Sequence, residues 1–169
     1  TPMIVQSMVI FYGSAQAFNI SLDRTWAAIF IVSINTGAYM SEIVRGGILA
    51  VDPGQFEAAT ALGMTHGQTM RKVVLPQVVR NILPATGNEF VINIKDTSVL
   101  NVISVVELYF TGNTVATQNY QYFPTFTIIA VIYFVLTFTI TRILRYIERR
   151  LDSDTYTTGA NQMQVNEVK

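Results

Sequence analysis

Three long stretches of this chain carry no Asp, Glu, Lys or Arg: residues 1–22, 25–41 and 108–141. A helix crossing the ~30 Å hydrocarbon core of a bilayer needs about 20 mostly apolar residues. Phe123–Ile143 meets that requirement and is apolar on every side, which is too long and too uniform for a buried strand. Trp26–Met40 and Met3–Phe18 reach the length only with their flanking residues. A fourth candidate, Pro84–Val106, is apolar apart from Glu89, Lys95 and Asp96. Charged residues make up 13% of the chain, against roughly 25% in a soluble domain, so there is too little charge to cover a water-facing surface. The reading is an all-α, polytopic membrane helix bundle.

Lysine and arginine set the expected orientation. The connection 42–80 holds Arg45, Arg71, Lys72 and Arg80, and the region from 142 holds Arg142, Arg145, Arg149, Arg150 and Lys169. The connection 13–24 has Arg24 alone, and 107–122 has neither lysine nor arginine. The long loop and the C-terminus are therefore expected in the cytoplasm, on a plasma membrane protein with several spans. Thr1-Pro2-Met3 opens directly on an apolar segment without a basic leader, unlike a signal peptide. The expectation is a longer chain cut at a span boundary. Residues 1–150 read as the transmembrane domain and 151–169 as a polar tail, expected to be disordered.

The absence of cysteine excludes a disulfide scaffold, a thiolate zinc site and a cysteine nucleophile. Zero net charge leaves no footprint for nucleic acid. There is no G-x-S-x-G, no H-E-x-x-H, and His66 stands alone, which leaves an intramembrane protease without its chemistry and the chain without catalytic or metal-binding residues. Nor is there a G-x-x-x-x-G-K-[ST] phosphate loop, so any ATP hydrolysis belongs to another polypeptide. No cofactor is expected.

The long loop reads as an ordered element. Asp52-Pro53-Gly54-Gln55 supplies a capping acid, a proline at the first helical position and Gln at the third, a capping-box variant. The helix runs to Gly63, a C-terminal stop. Thr65-His66-Gly67-Gln68 starts a second helix, expected to end before Pro76. Two short helices, each about 15 Å long, meet at a sharp turn. Such a pair either packs beneath its own membrane domain or docks a cytosolic partner.

Glu57-Ala58-Ala59-x-x-x-Gly63, nine residues, then Val73-x-Leu75-Pro76 resembles the EAA loop of ABC importer permeases. Ala38-Tyr39-x-x-Glu42-x-x-Arg45-Gly46 and Lys95-Asp96-Thr97-Ser98 are similar to the polar amino acid subfamily, as is Thr1-Pro2, and the resemblance covers roughly residues 1–150. It departs at Val73, where isoleucine is usual, and at Val99, where leucine is. The resemblance implies five spans per subunit, of which about four are present here. It also implies an ATPase-coupling role for Glu57, Ala58, Ala59, Gly63, Leu75 and Pro76, with Gly63 as the bend that fixes the lever's angle. The implied partners are a cytosolic ABC ATPase dimer, an extracellular amino-acid-binding protein, and a second permease subunit of the same or a related kind. The implied function is ATP-driven import of polar amino acids, with glutamine or glutamate preferred. The alternative is an ion channel or a non-transporting membrane scaffold.

Ionisable groups inside a bilayer cost at least ~2.5 kcal/mol each, so they need partners or a water-filled cavity. Glu89, Asn93, Asp96 and Leu100 fall at i, i+4, i+7 and i+11, one helix face, with Lys95 beside it. Lys95 lies eleven residues past Pro84, about 16 Å along a helix, near mid-membrane if the span starts at the proline. A face bearing acid, amide and ammonium suits a zwitterionic amino acid, and Glu89, Asn93, Lys95, Asp96, Thr97 and Ser98 are the candidate pathway residues. The competing reading has Lys95 paired with Asp96 or Glu89, or bridging to another span, only to hold the bundle. Thr97 and Ser98 are placed to satisfy backbone carbonyls where the helix loosens. Glu42 and Arg45 read as an intrahelical ion pair, and Trp26, Tyr39, Tyr120, Tyr122 and Phe123 as interfacial anchors.

Overall fold

The computed structural model describes the backbone of residues 1–167 and the side chains of residues 1–150. The tail expected to be disordered lies outside the fully described residues. Six helices follow one another, with no strand among the described residues: α1 (Met3–Phe18), α2 (Arg24–Leu49), α3 (Pro53–Ala61), α4 (His66–Ile103), α5 (Leu108–Asn119) and α6 (Tyr122–Glu167). The segments Arg24–Leu49 and Tyr122–Arg150 are long and apolar enough to cross a membrane. Only 17% and 6% of their most apolar stretches are buried within the chain. Their exposed Ile, Phe and Val side chains therefore need lipid or another subunit. α4 and α5 together pass the same test as one span bent by 54°, and α1 is a shorter apolar helix.

Two corrections to the sequence reading concern α4. The second loop helix does not end before Pro76; it continues through Pro76 and Pro84 to Asp96. The turn Met70–Val74 is π-helical, with the Leu75 amide bonded to the Met70 carbonyl. Such a turn holds one extra residue, and that widening gives the Pro76 ring room and lowers the cost of its missing N–H. Nor does a helix start at Pro84: the apolar segment Pro84–Val106 begins within one already formed there. Its far end tightens into a 3₁₀ stretch over Thr97–Ile103 and stops at Ser104, in left-handed backbone.

The stretch 107–122, read as a connection, holds a helix that the sequence reading did not name, α5. Glu107 caps it, accepting from the Tyr109 and Phe110 amides at 2.7 and 2.5 Å. Gly112 faces Ile129 of α6 so closely that an added Cβ would overlap the isoleucine side chain. Ala116 is fully buried one turn on. Small residues on α5 thus let the two helices approach.

The chain packs as two units. In the first, residues 1–39 with 89–140, the core is Ala27, Ala28, Ile31, Leu100 and Ile103, with Ile10 and Phe11 against it. The Tyr12 hydroxyl ties α1 to the 3₁₀ stretch by donating to the Val102 carbonyl at 3.0 Å. In the second, residues 40–88 with the segment from 141, Val51, Val74 and Val78 are buried and Ile48, Phe56, Met70 and Ile82 pack on them. Each fully buried valine contributes about 1.5–3 kcal/mol, enough to anchor a loop of two short helices.

Candidate functional site

Within the second unit, the loop 52–76 is fixed at every helix end. Asp52 Oδ1 accepts from the Gly54 amide at 2.6 Å, and Pro53 occupies the first helical position of α3. Gln55 does not close the expected capping box. Its Oε1 instead accepts from Gln77 Nε2 at 3.3 Å, and Gln77 Nε2 also donates to the Val73 carbonyl at 3.0 Å. One amide thus links α3 to the π-helical turn.

α3 ends in a Schellman motif. Gly63 N donates to the Thr60 carbonyl at 2.9 Å and Met64 N to the Ala59 carbonyl at 3.1 Å. Gly63 stands at φ 75°, the left-handed region that only glycine enters without strain. α4 then starts with a complete capping box: Thr65 N donates to Gln68 Oε1 at 2.9 Å, and Gln68 N to Thr65 Oγ1 at 3.4 Å. The EAA-like residues divide by exposure. Ala59 is buried on the anchoring side, whereas Glu57, Ala58, Gly63, Leu75 and Pro76 are exposed. His66, in the first turn of α4, is exposed.

In the first unit, Glu89 and Asn93 lie half-buried on one face of α4. Asn93 Nδ2 donates to the Glu89 carbonyl at 3.1 Å and approaches Glu89 Oε1 at 3.5 Å. Asn93 Oδ1 accepts from Thr36 Oγ1 of α2 at 3.0 Å. Thr36 was not among the residues singled out from the sequence; a threonine inside an uncharged run carries no signal until its partner is known. Lys95 and Asp96 are exposed, and neither forms a salt bridge with a described residue, so the pairing of Lys95 with Asp96 or Glu89 that the competing reading offers is not seen. Within a bilayer both would face another subunit, an aqueous cavity or the interface.

Where α4 passes into 3₁₀ geometry, Thr97 Oγ1 donates to the Ile94 carbonyl at 3.0 Å, and Ser98 offers its carbonyl to Asn101 Nδ2 at 3.0 Å. Ser98, Asn101 and Tyr109 line a small open groove with Ile4, Val99 and Val102. Glu107 is the other functional-looking group missed in the sequence. Besides capping α5, its Oε2 accepts from the Tyr133 hydroxyl at 3.2 Å. An acid just before an apolar run is an N-cap signature that could have found it.

Elsewhere, Arg45 Nε donates to Glu42 Oε2 at 3.0 Å, the expected i,i+3 pair. Trp26, Tyr39, Tyr120, Tyr122 and Phe123 are all exposed. No group of three His, Cys, Asp or Glu capable of holding a metal occurs among the described residues.

Residues 1–153 match the family described as the binding-protein-dependent transport system inner membrane component. The glutamine transport system permease protein GlnP of Escherichia coli (strain K12) is 40% identical over 152 residues, which cover 89% of this chain and 69% of that protein. The arginine transport system permease protein ArtQ of Bacillus subtilis (strain 168) is 37% identical over 154 residues, 91% of this chain and 70% of that protein. Among solved structures, an amino acid ABC transporter crystallised with histidines superposes with a TM-score of 0.84 at 44% identity, over 89% of this chain and 70% of that one. The chain belongs to this inner membrane component family, as a permease subunit of an amino acid ABC importer.

Proposed function

We propose that the chain imports a polar amino acid, glutamine or glutamate before others, and that it takes the ATP-derived stroke through the loop 52–76. The observation that carries the coupling role is the joint between α3 and α4. A Schellman motif and a capping box on either side of Met64 leave the two helices no slack. A force applied to the exposed Glu57–Ala58 edge of α3 then reaches α4 instead of bending the loop. The cleft of a cytosolic ABC ATPase is the receiving surface, with the loop and the C-terminus on the cytoplasmic side.

The cargo preference rests on Glu89 and Asn93, an acid and an amide held half-buried, together with the glutamine permease among the relatives. A carboxylate matches a substrate ammonium, and an amide can donate to and accept from a side-chain amide. The exposed Lys95 and Asp96 belong to the same pathway, completed by a second permease subunit, with Thr97 and Ser98 keeping its 3₁₀ end in shape. An extracellular binding protein delivers the amino acid.

Uptake of a panel of labelled amino acids, by cells lacking the gene and with or without energy depletion, tests this. Loss of one ATP-dependent uptake, glutamine or glutamate, is expected. Selective loss of arginine or cystine uptake would overturn the cargo assignment and leave the coupling role. Uptake that persists after energy depletion would overturn both.

A further inference from the structure

The last turns of the apolar part of α6 have two unlike sides. One side is Leu144 and Glu148, which lie against Gly87 of the same packing unit: a Cβ there would sit 3.4 Å from Leu144 Cδ1 and 3.7 Å from Glu148 Oε1. The opposite side carries Tyr146, 59% exposed, with Ile143 and Ile147 on one flank at 54% and 42%. Exposed Arg145 and Arg149 stand on the other flank, and exposed Arg150 lies one turn beyond Tyr146. Exposed isoleucine and exposed arginine share these few residues at the end of the most apolar helix. In a bilayer this is the level at which acyl chains give way to headgroups.

Arg150 is not loose there. Its Nε and Nη2 both donate to the Tyr146 hydroxyl, at 3.0 and 2.7 Å, and its Cζ lies 5.3 Å from the centre of the tyrosine ring. The ring fixes the guanidinium plane and, among the described residues, leaves Nη1 and the remaining Nη2 hydrogen for another acceptor. A guanidinium held in this way suits a phosphate, which takes two parallel N–H donors. Arg149, the next residue, adds a second positive charge.

We infer that this face of α6 is a site for an anionic phospholipid, with Arg149 and Arg150 on the phosphodiester, Tyr146 bracing Arg150, and Ile143 and Ile147 along an acyl chain. The occupant follows from charge and polarity together: two arginines alone would suit any anion, but isoleucines exposed beside them suit one that carries a hydrocarbon tail. Each arginine near an anionic bilayer surface is worth about a fivefold preference.

The test uses the intact importer complex in nanodiscs that mix phosphatidylcholine with phosphatidylglycerol, and counts by mass spectrometry the lipids retained after extraction. The wild-type complex is expected to retain phosphatidylglycerol over phosphatidylcholine at about 25 times their bulk ratio, a factor of about five from each arginine. R149Q/R150Q should bring that ratio to the bulk value. Tyr146→Phe, which keeps the ring and removes the brace, should lose about half of the enrichment and remains informative if the double variant does not assemble. Unchanged retention in these variants would overturn the site. Displacement of the lipid by soluble glycerol phosphate at equal concentration would show a plain phosphate site and overturn the lipid assignment. Protection of this face by the ATPase in the lipid-free complex would assign it to a protein instead.

Discussion

Thr36 Oγ1 of α2 donates to Asn93 Oδ1 of α4 across 3.0 Å, joining the two helices through residues 57 apart in sequence. That bond orients the Asn93 amide. With Oδ1 turned to Thr36, Nδ2 must face Glu89, and the carboxylate and amide are held as one surface. Thr36→Val keeps the shape and removes the donor. A lost hydrogen bond of this kind is worth about 1 kcal/mol, so the KM for uptake should rise about fivefold while the assembled complex elutes unchanged. Thr36→Ser should restore most of the affinity. An unaltered KM in the valine variant would show that the orientation of Asn93 does not matter to transport.

Glu89→Gln should alter which amino acid is preferred without weakening ATPase attachment. The substitution keeps the size of the side chain and removes the charge that would meet a substrate ammonium. Competition uptake and co-purification of the ATPase read the two effects separately. Loss of the complex itself would make Glu89 a structural group.

Gly63→Pro should abolish transport and uncouple ATP hydrolysis from it. Proline requires φ near −65° where the backbone stands at 75°, and it removes the N–H that donates to Thr60. The milder Gly63→Ala places a Cβ in the left-handed region at about 1–2 kcal/mol. It should lower the number of amino acids moved per ATP while the protein still inserts. Normal coupling in the alanine variant would sink the lever reading.

Glu107→Ala removes the acceptor for two amides at the start of α5 and for the Tyr133 hydroxyl. Loss of an N-cap costs about 0.5–2 kcal/mol, and Tyr133→Phe, which removes a single bond, should cost less. Thermal melting of the purified subunit should rank them in that order below wild type. The reverse order would assign the main role to the tyrosine.

What could be read from the sequence was whatever depends on residue type at fixed spacing. The uncharged runs located the apolar helices, Thr65 and Gln68 announced their capping box, and Gly63 its stop. Continuity through Pro76 was hidden because a π-helical turn is a change of hydrogen-bond register, and Met70–Val74 has no composition that marks it. The helix at Leu108–Asn119 was missed because its polar and apolar residues show little periodicity; its signals are one capping acid and two small residues at a close contact. Glu89 and Asn93 shared a face as their spacing required. Lys95 and Asp96 form no salt bridge with each other, because adjacent helical residues point about 100° apart, and only geometry could show that neither finds another ion-pair partner among the described residues.

The joint at Leu62–Thr65 has one more consequence. The amides of Gly63, Met64, Thr65 and Gln68 are already engaged in the chain's own caps. A partner that receives α3 therefore cannot be recognised through those backbone groups. It meets side chains, and two of those exposed on α3 are alanines, Ala58 and Ala61. Compatibility between this subunit and a given motor becomes a matter of contour, written in the methylene groups that are missing. Exchange of motors among related transporters would then be governed by how much bulk each surface leaves out.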